Sequence, residues 1–174
     1  MKKQILAVLL LLLVTGCSSG NDDIKTDLNL VGIWERSMVI SSEDVENDLE
    51  EGDYFYTNRI EFSSDNSFIE YYYLTNGENQ EIIGYYSKNE GTYKTRGDRL
   101  EFHFNQWISN EEYNQLFVPL ENLGLINENQ GYSLNYSFQN NQSLLIFNFD
   151  PCGPLENCFS GNLEYNKIIP SLNQ

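Results

Sequence analysis

One histidine, three cysteines and 26 carboxylates are the groups of this 174-residue chain that could do chemistry. His103 stands alone, so no Ser-His-Asp or Cys-His relay can be assembled, and no nucleophile is marked by its neighbours. Cys152 and Cys158 flank Gly153-Pro154-Leu155-Glu156-Asn157. That spacing is not the C-x2-C of redox pairs. Outside the cytoplasm a disulfide is the default for two such cysteines, and closing this loop is worth about 2–2.5 kcal/mol in chain entropy. Carboxylates crowd residues 41–53, where Glu43, Asp44, Glu46, Asp48, Glu50, Glu51 and Asp53 stand. Calcium takes roughly six to eight oxygen ligands, yet the spacing matches no EF-hand loop, and a solvated acidic loop is the simpler reading. No glycine-rich phosphate loop is present, and no two acids are set apart for glycoside chemistry. The expectation is a non-enzymatic protein with no metal and no cofactor.

Cys17 has a different setting. Lys2 and Lys3 precede an unbroken apolar run over residues 5–14. That run is short of the roughly 20 residues a bilayer span needs and suits the hydrophobic region of a signal peptide. Val14-Thr15-Gly16-Cys17 follows and resembles the bacterial lipobox, in which small residues let a signal peptidase reach the bond before the acylated cysteine. The reading is a leader over residues 1–16, palmitate-type acyl chains on Cys17, and a flexible tether over 17–27. Each buried methylene adds about 0.8 kcal/mol, so three acyl chains hold a protein on a membrane without embedding it. Ser18 offers no aspartate-type inner-membrane retention cue, and Asp22-Asp23 resembles the acidic export signal of some Gram-negative surface lipoproteins. The expected location is the cell envelope, as an outer membrane lipoprotein, exposed at the cell surface if Asp22-Asp23 is such a signal rather than part of a solvated linker. Loss of Lys2 and Lys3 with the leader takes the formal net charge from −16 to −18. Such acidity argues against a nucleic-acid partner, because phosphate contacts need clustered cations.

The elements that must position any site are strands. From residue 28 the periodicity is mostly two. Strands are expected over residues 30–40, 53–63, 68–74, 80–87, 90–96, 99–105, 131–139, 143–149 and 161–169. Turn clusters such as Ser64-Asp65-Asn66-Ser67 and Gly97-Asp98 separate them. Short strands at roughly 8–12-residue spacing point to a sandwich or barrel. One segment differs: Ser109-Asn110-Glu111-Glu112 is patterned as a capping box, and Tyr113, Leu116, Phe117 and Leu120 follow at helical spacing. A short helical excursion over 109–125, ended or kinked by Pro119, is expected. In the alternating run 99–105, His103 and Glu101 face out, opposite Leu100, Phe102 and Phe104. In Tyr71-Tyr72-Tyr73, Tyr72 faces opposite to its neighbours.

Several motifs occur in a familiar order. Gly32-Ile33-Trp34 is similar to the Gly-x-Trp signature of lipocalins. The stretch Phe62 through Asp65-Asn66-Ser67-Phe68 resembles that family's second hairpin, with Asn66 where glycine is usual; asparagine also tolerates positive φ. Gly91-Thr92-Tyr93 with Gly97-Asp98-Arg99-Leu100 resembles another of its hairpins. The chain thus resembles the lipocalin-like domain family of bacterial surface lipoproteins. The resemblance implies an all-β, antiparallel up-and-down barrel of about eight to nine strands over 28–174, with Trp34 plugging the closed end. Lipocalins often set a cation over that tryptophan from the last strand, and Lys167 is the nearby candidate. The helix that follows the barrel in long lipocalins has no counterpart. A small apolar ligand would sit inside, among Phe62, Phe68, Phe102, Phe104, Tyr132, Tyr136, Phe138 and Phe147. The alternative is that these rings merely fill the barrel, leaving a surface module for a protein or glycan partner.

Intact-mass analysis tests the cysteine readings together. Membrane-purified protein should carry an acyl mass that Cys17→Ala abolishes, and Cys152 and Cys158 should resist alkylation until reduced. An acyl mass surviving Cys17→Ala, or two free thiols, contradicts them.

Overall fold

In a computed structural model the described residues are 26–45, 49–77, 80–110, 116–127, 129–151 and 160–169. They form nine strands: β1 Gly32–Ser41, β2 Asp53–Phe62, β3 Ser67–Asn76, β4 Ile82–Arg96, β5 Arg99–Ser109, β6 Gly124–Asn127, β7 Gln130–Gln139, β8 Leu144–Phe149 and β9 Gly161–Ile168. All neighbours are antiparallel. Eight strands close a ring in the order β1-β2-β3-β4-β5-β7-β8-β9, with β9 returning to β1, and β6 lies along the far end of β5. A closed ring leaves few unpaired edges to invite aggregation.

Alternation fills one end of this ring. The inward residues there are Trp34, Ile60, Phe62, Phe68, Tyr93, Leu100, Leu134, Tyr136 and Leu145, all buried in one cluster with Leu30. The chain before β1 crosses beneath them. Leu30 is fully buried and its carbonyl accepts the Trp34 indole N–H at 2.6 Å. Thr26 Oγ1 donates to Asn66 Oδ1 at 2.5 Å, and the Tyr136 hydroxyl donates to Asp27 Oδ2 at 2.8 Å. Gly32 has φ +136, and a Cβ there would press on Lys167 Cε at 3.2 Å. Only glycine takes that backbone without strain. The Lys167 ammonium lies 5.0 Å from the centre of the Trp34 ring, within cation–π range. Asn66 takes φ 66 in the β2–β3 turn, as its side chain allows.

Two sequence expectations are corrected. The strands expected over 80–87 and 90–96 are one strand, β4, which runs on through Lys88-Asn89. Asn89 faces inward opposite Glu70, so a polar residue interrupts the apolar alternation without interrupting the strand. The second correction is the helix expected over 109–125. Glu111, Glu112 and Tyr113 lie outside the described residues. Ser109 ends β5, Val118 bridges to Tyr85, residues 120–122 make a 3₁₀ turn, and Gly124 begins β6. No α-helix occurs among the described residues. Phe117 and Val118 are buried for a tertiary reason: they cross the rim of the barrel. A Cβ on Gly84 would stand 3.0 Å from Val118 N, so glycine permits that crossing. Phe117 packs with Val45, Tyr54 and Leu74 as a second, smaller core at this open end.

Both cores and all eight ring strands lie between Leu30 and Ile168, so a chain starting at Ser18 keeps every described contact of the barrel. Trp34→Ala in that chain should cost about 3–5 kcal/mol, read as a lowered urea midpoint. A loss below about 1 kcal/mol would show that Trp34 does not plug the barrel.

Candidate ligand-binding site

The interior changes character halfway up. Inward residues at the closed end are 0–8% exposed. At the open end, Met38, Trp107 and Tyr132 share the inward face by register, yet keep 44%, 37% and 40% exposure. Large side chains that face a barrel's interior and still meet solvent line an open cup.

Its floor is polar. Glu70 is 4% exposed, on β3. Asn58 Nδ2 donates to its Oε1 at 3.1 Å, Asn89 Nδ2 to its Oε2 at 2.8 Å, and the Tyr72 hydroxyl bonds the same carboxyl. The Tyr165 hydroxyl donates to Asn58 Oδ1 at 2.5 Å, tying β9 to the network. Burial holds the Glu70 carboxyl above the usual carboxylate range, against the pull of these three donors. The phenols around it respond in kind. Burial pushes Tyr56 up to about 12, aided by Tyr86 and Glu70 and opposed by Arg36. Burial, then the Glu70 charge, lifts Tyr72 and Tyr132 well above the ordinary phenol range. Asn89 Oδ1 is buried and has no hydrogen-bond partner.

The ring residues singled out in the sequence divide between the two halves. Phe62, Phe68, Phe102, Phe104, Tyr136 and Phe147 belong to the packed cluster, and Phe138 packs against it. Phe104 stacks on Tyr132, with centroids 5.6 Å apart, where that cluster meets the cup. Glu70, Asn58, Asn89 and Tyr165 were not singled out. The available signal was Glu70 in an inward-parity position between Phe68 and Tyr72. His103 and Glu101 face outward, His103 exposed. Cys17, Cys152 and Cys158 lie outside the described residues. Among the described residues no three His, Cys, Asp or Glu groups converge as a metal site.

A second concavity lies on the outer face of β1–β3. This groove of about 390 Å³ is lined by Phe55, Arg59, Tyr73 and Ile82, among others. The Tyr73 hydroxyl bonds Glu35 at 3.4 Å, and Arg59 lies 2.9 Å from Glu61. Tyr71 and Tyr73 face this side and Tyr72 faces the cup, in keeping with strand alternation. Scans of the chain against protein-family models, curated proteins and solved structures find no match.

The raised Glu70 carboxyl fixes the sign of a pH effect. The folded chain keeps this proton where the unfolded chain, near 4.3, has lost it. The contribution is present below that value and is lost as pH rises through the higher folded value. Glu70→Gln removes the dependence, and the Asn89 amide can turn its spare oxygen to the new donor. Between about pH 4.3 and 7, the urea midpoint of the parent should fall relative to Glu70→Gln. Parallel curves would contradict this.

Proposed function

We propose that this protein is a non-catalytic, lipocalin-like lipoprotein, held on the outer membrane through acyl chains on Cys17, that binds a small molecule in the open half of its barrel. The observation that carries the reading is the unfilled cup. Three large inward side chains stay exposed above a buried, hydrogen-bonded carboxyl. Burying an acid beneath the cup costs several kcal/mol before its partners offset it. Supporting the lipocalin resemblance are the antiparallel eight-stranded ring, Trp34 at its closed end and Lys167 over the indole. Thr26, where the described chain begins, is bonded at the closed end. A tether from Cys17 would therefore join the barrel at its closed end.

A second reading has its own observation. The outer groove presents Tyr73 and Phe55 beside the charged Arg59 and Glu35. Aromatic faces beside hydrogen-bonding groups suit a sugar ring, which makes this face a glycan- or protein-binding surface.

One experiment separates the two. The chain from Ser18 onward is incubated with a small-molecule extract of the source cells and examined by native mass spectrometry. The cup reading expects a discrete adduct of a few hundred daltons, lost in Tyr132→Arg and retained in Phe55→Arg. An adduct lost in Phe55→Arg alone moves the site to the outer groove. A folded chain with no adduct overturns small-molecule binding.

A further inference from the structure

The polar groups beneath the cup are unevenly committed. Asn58 Nδ2, Asn89 Nδ2 and the Tyr72 hydroxyl all donate to Glu70, and the Tyr165 hydroxyl donates to Asn58. Each of these donor atoms has a neighbour as partner, and Asn58 Nδ2 also reaches the Tyr71 carbonyl at 3.3 Å. Acceptors are left over. A carboxylate offers about four lone-pair sites, three of them taken here, and Asn89 Oδ1 has none of its own filled. Asn89 is only 7% exposed, and a buried acceptor without a donor costs about 1–3 kcal/mol. A ligand group that reaches this floor therefore meets acceptors.

The field has the same sense. Tyr72, Trp107 and Tyr132 face the cup by register, and aromatic rings attract cations rather than anions over their faces. The fixed cation of the cup, Arg36, is inward on β1 and acts on Tyr56 and Tyr165. Asn89 is on β4, three strands around the ring, so acceptor and cation occupy different walls. Accepting this cup as the binding site, we propose that its ligand is a protonated amine on an aromatic or apolar body, with the ammonium bonded to Asn89 Oδ1 and Glu70 and the body held between Trp107 and Tyr132. An ammonium brings three donors and a charge opposite to the carboxylate. Pairing the two removes the penalty that each carries alone in a dry site.

Binding of this kind is linked to pH. The groups facing Glu70 are Asn58 and Tyr56 on β2, Tyr72 on β3, Asn89 on β4, Tyr132 on β7 and Tyr165 on β9, with Arg36 beyond them on β1. Burial keeps the four phenols protonated, so Glu70, whose carboxyl burial raises above the usual carboxylate range, is the group of this set that gains charge as pH rises. Amine affinity rises with pH as Glu70 ionises.

The test uses three probes of one shape. 4-Phenylbutylamine, 4-phenylbutan-1-ol and 4-phenylbutanoate are titrated calorimetrically into the chain from Ser18 onward at pH 7.5. The amine is expected to bind about ten-fold or more tightly than either of the others. Glu70→Gln should bring it to within about two-fold of the alcohol, whereas Glu101→Gln on the outer face, the same charge change, should leave the preference intact. Should Glu70→Gln fail to fold, the parent chain decides: its amine affinity should fall at pH 5 while that of the alcohol holds, and equal losses would overturn the inference. Alcohol or carboxylate binding as tightly as amine also overturns it, while leaving the cup as a binding site. If none of the three binds or shifts Trp107 emission, the cup itself falls as a site.

Discussion

Closing a ring of strands requires the first strand to satisfy two neighbours, and here the last seam is short. β1 meets β2 over ten residue pairs but meets β9 over three: Ile33 with Ile168, Trp34 with Lys167 and Glu35 with Asn166. So few ladder bonds do not fix a barrel's curvature alone, and side chains complete the seam. Trp34 sits at its centre, bonded to Leu30 on one side and covered by Lys167 on the other. One step further up, Tyr165 of β9 reaches past β1 to Asn58 of β2. The indole plug and this hydroxyl–amide bond bind the two sides of the ring together, and the rest of the interior is arranged around them.

The same bond starts the polar floor. Asn58 uses its oxygen for Tyr165 and its amide for Glu70, Glu70 uses its other oxygen for Asn89, and so β9, β2, β3 and β4 are linked by one chain of side-chain hydrogen bonds. Below this level apolar rings close-pack. Above it, Met38, Trp107 and Tyr132 stay exposed on the inward face while a smaller core gathers around Leu74 and Phe117. A network of this kind favours one arrangement of the strands, because its members are costly if unpaired. It also leaves Asn89 Oδ1 turned away from its neighbours. The open end is partly roofed from outside the ladder: Phe117 packs against Tyr56 at 5.9 Å, and Val45 folds in from the acidic β1–β2 connection. That connection is therefore not purely a solvated loop.

Most strands were legible because a barrel with one wet face imposes strict alternation. Leu100, Phe102 and Phe104 against Glu101 and His103, or Leu134 and Tyr136 against Ser133 and Asn135, can face only one way. The two departures share a cause. At Asn89 and at Phe117-Val118 the reason for burial lies on other strands, Glu70 in one case and the rim at Gly84 and Leu74 in the other. Local periodicity records what a residue's own face demands and carries no trace of a partner about twenty residues or more away.

The amino-acid sequence by itself determined the class of fold, the face of most strands, the turn residues and the expectation of a lipid anchor. Each of these follows from short-range rules: period-two burial, positive φ at Asn66 and Gly97, and the lipobox-like run Val14-Thr15-Gly16 before Cys17. Tertiary structure alone decided that the ring closes at Trp34 and that Met38, Trp107 and Tyr132 stay exposed on its inward face. It also decided that Glu70, isolated in the sequence as one acid among 26, becomes the buried centre of a cup. The physical reason is that burial, and hence the shift of its carboxyl, depends on side chains from four other strands. Ring closure brings these together from positions as far apart as Asn58 and Tyr165.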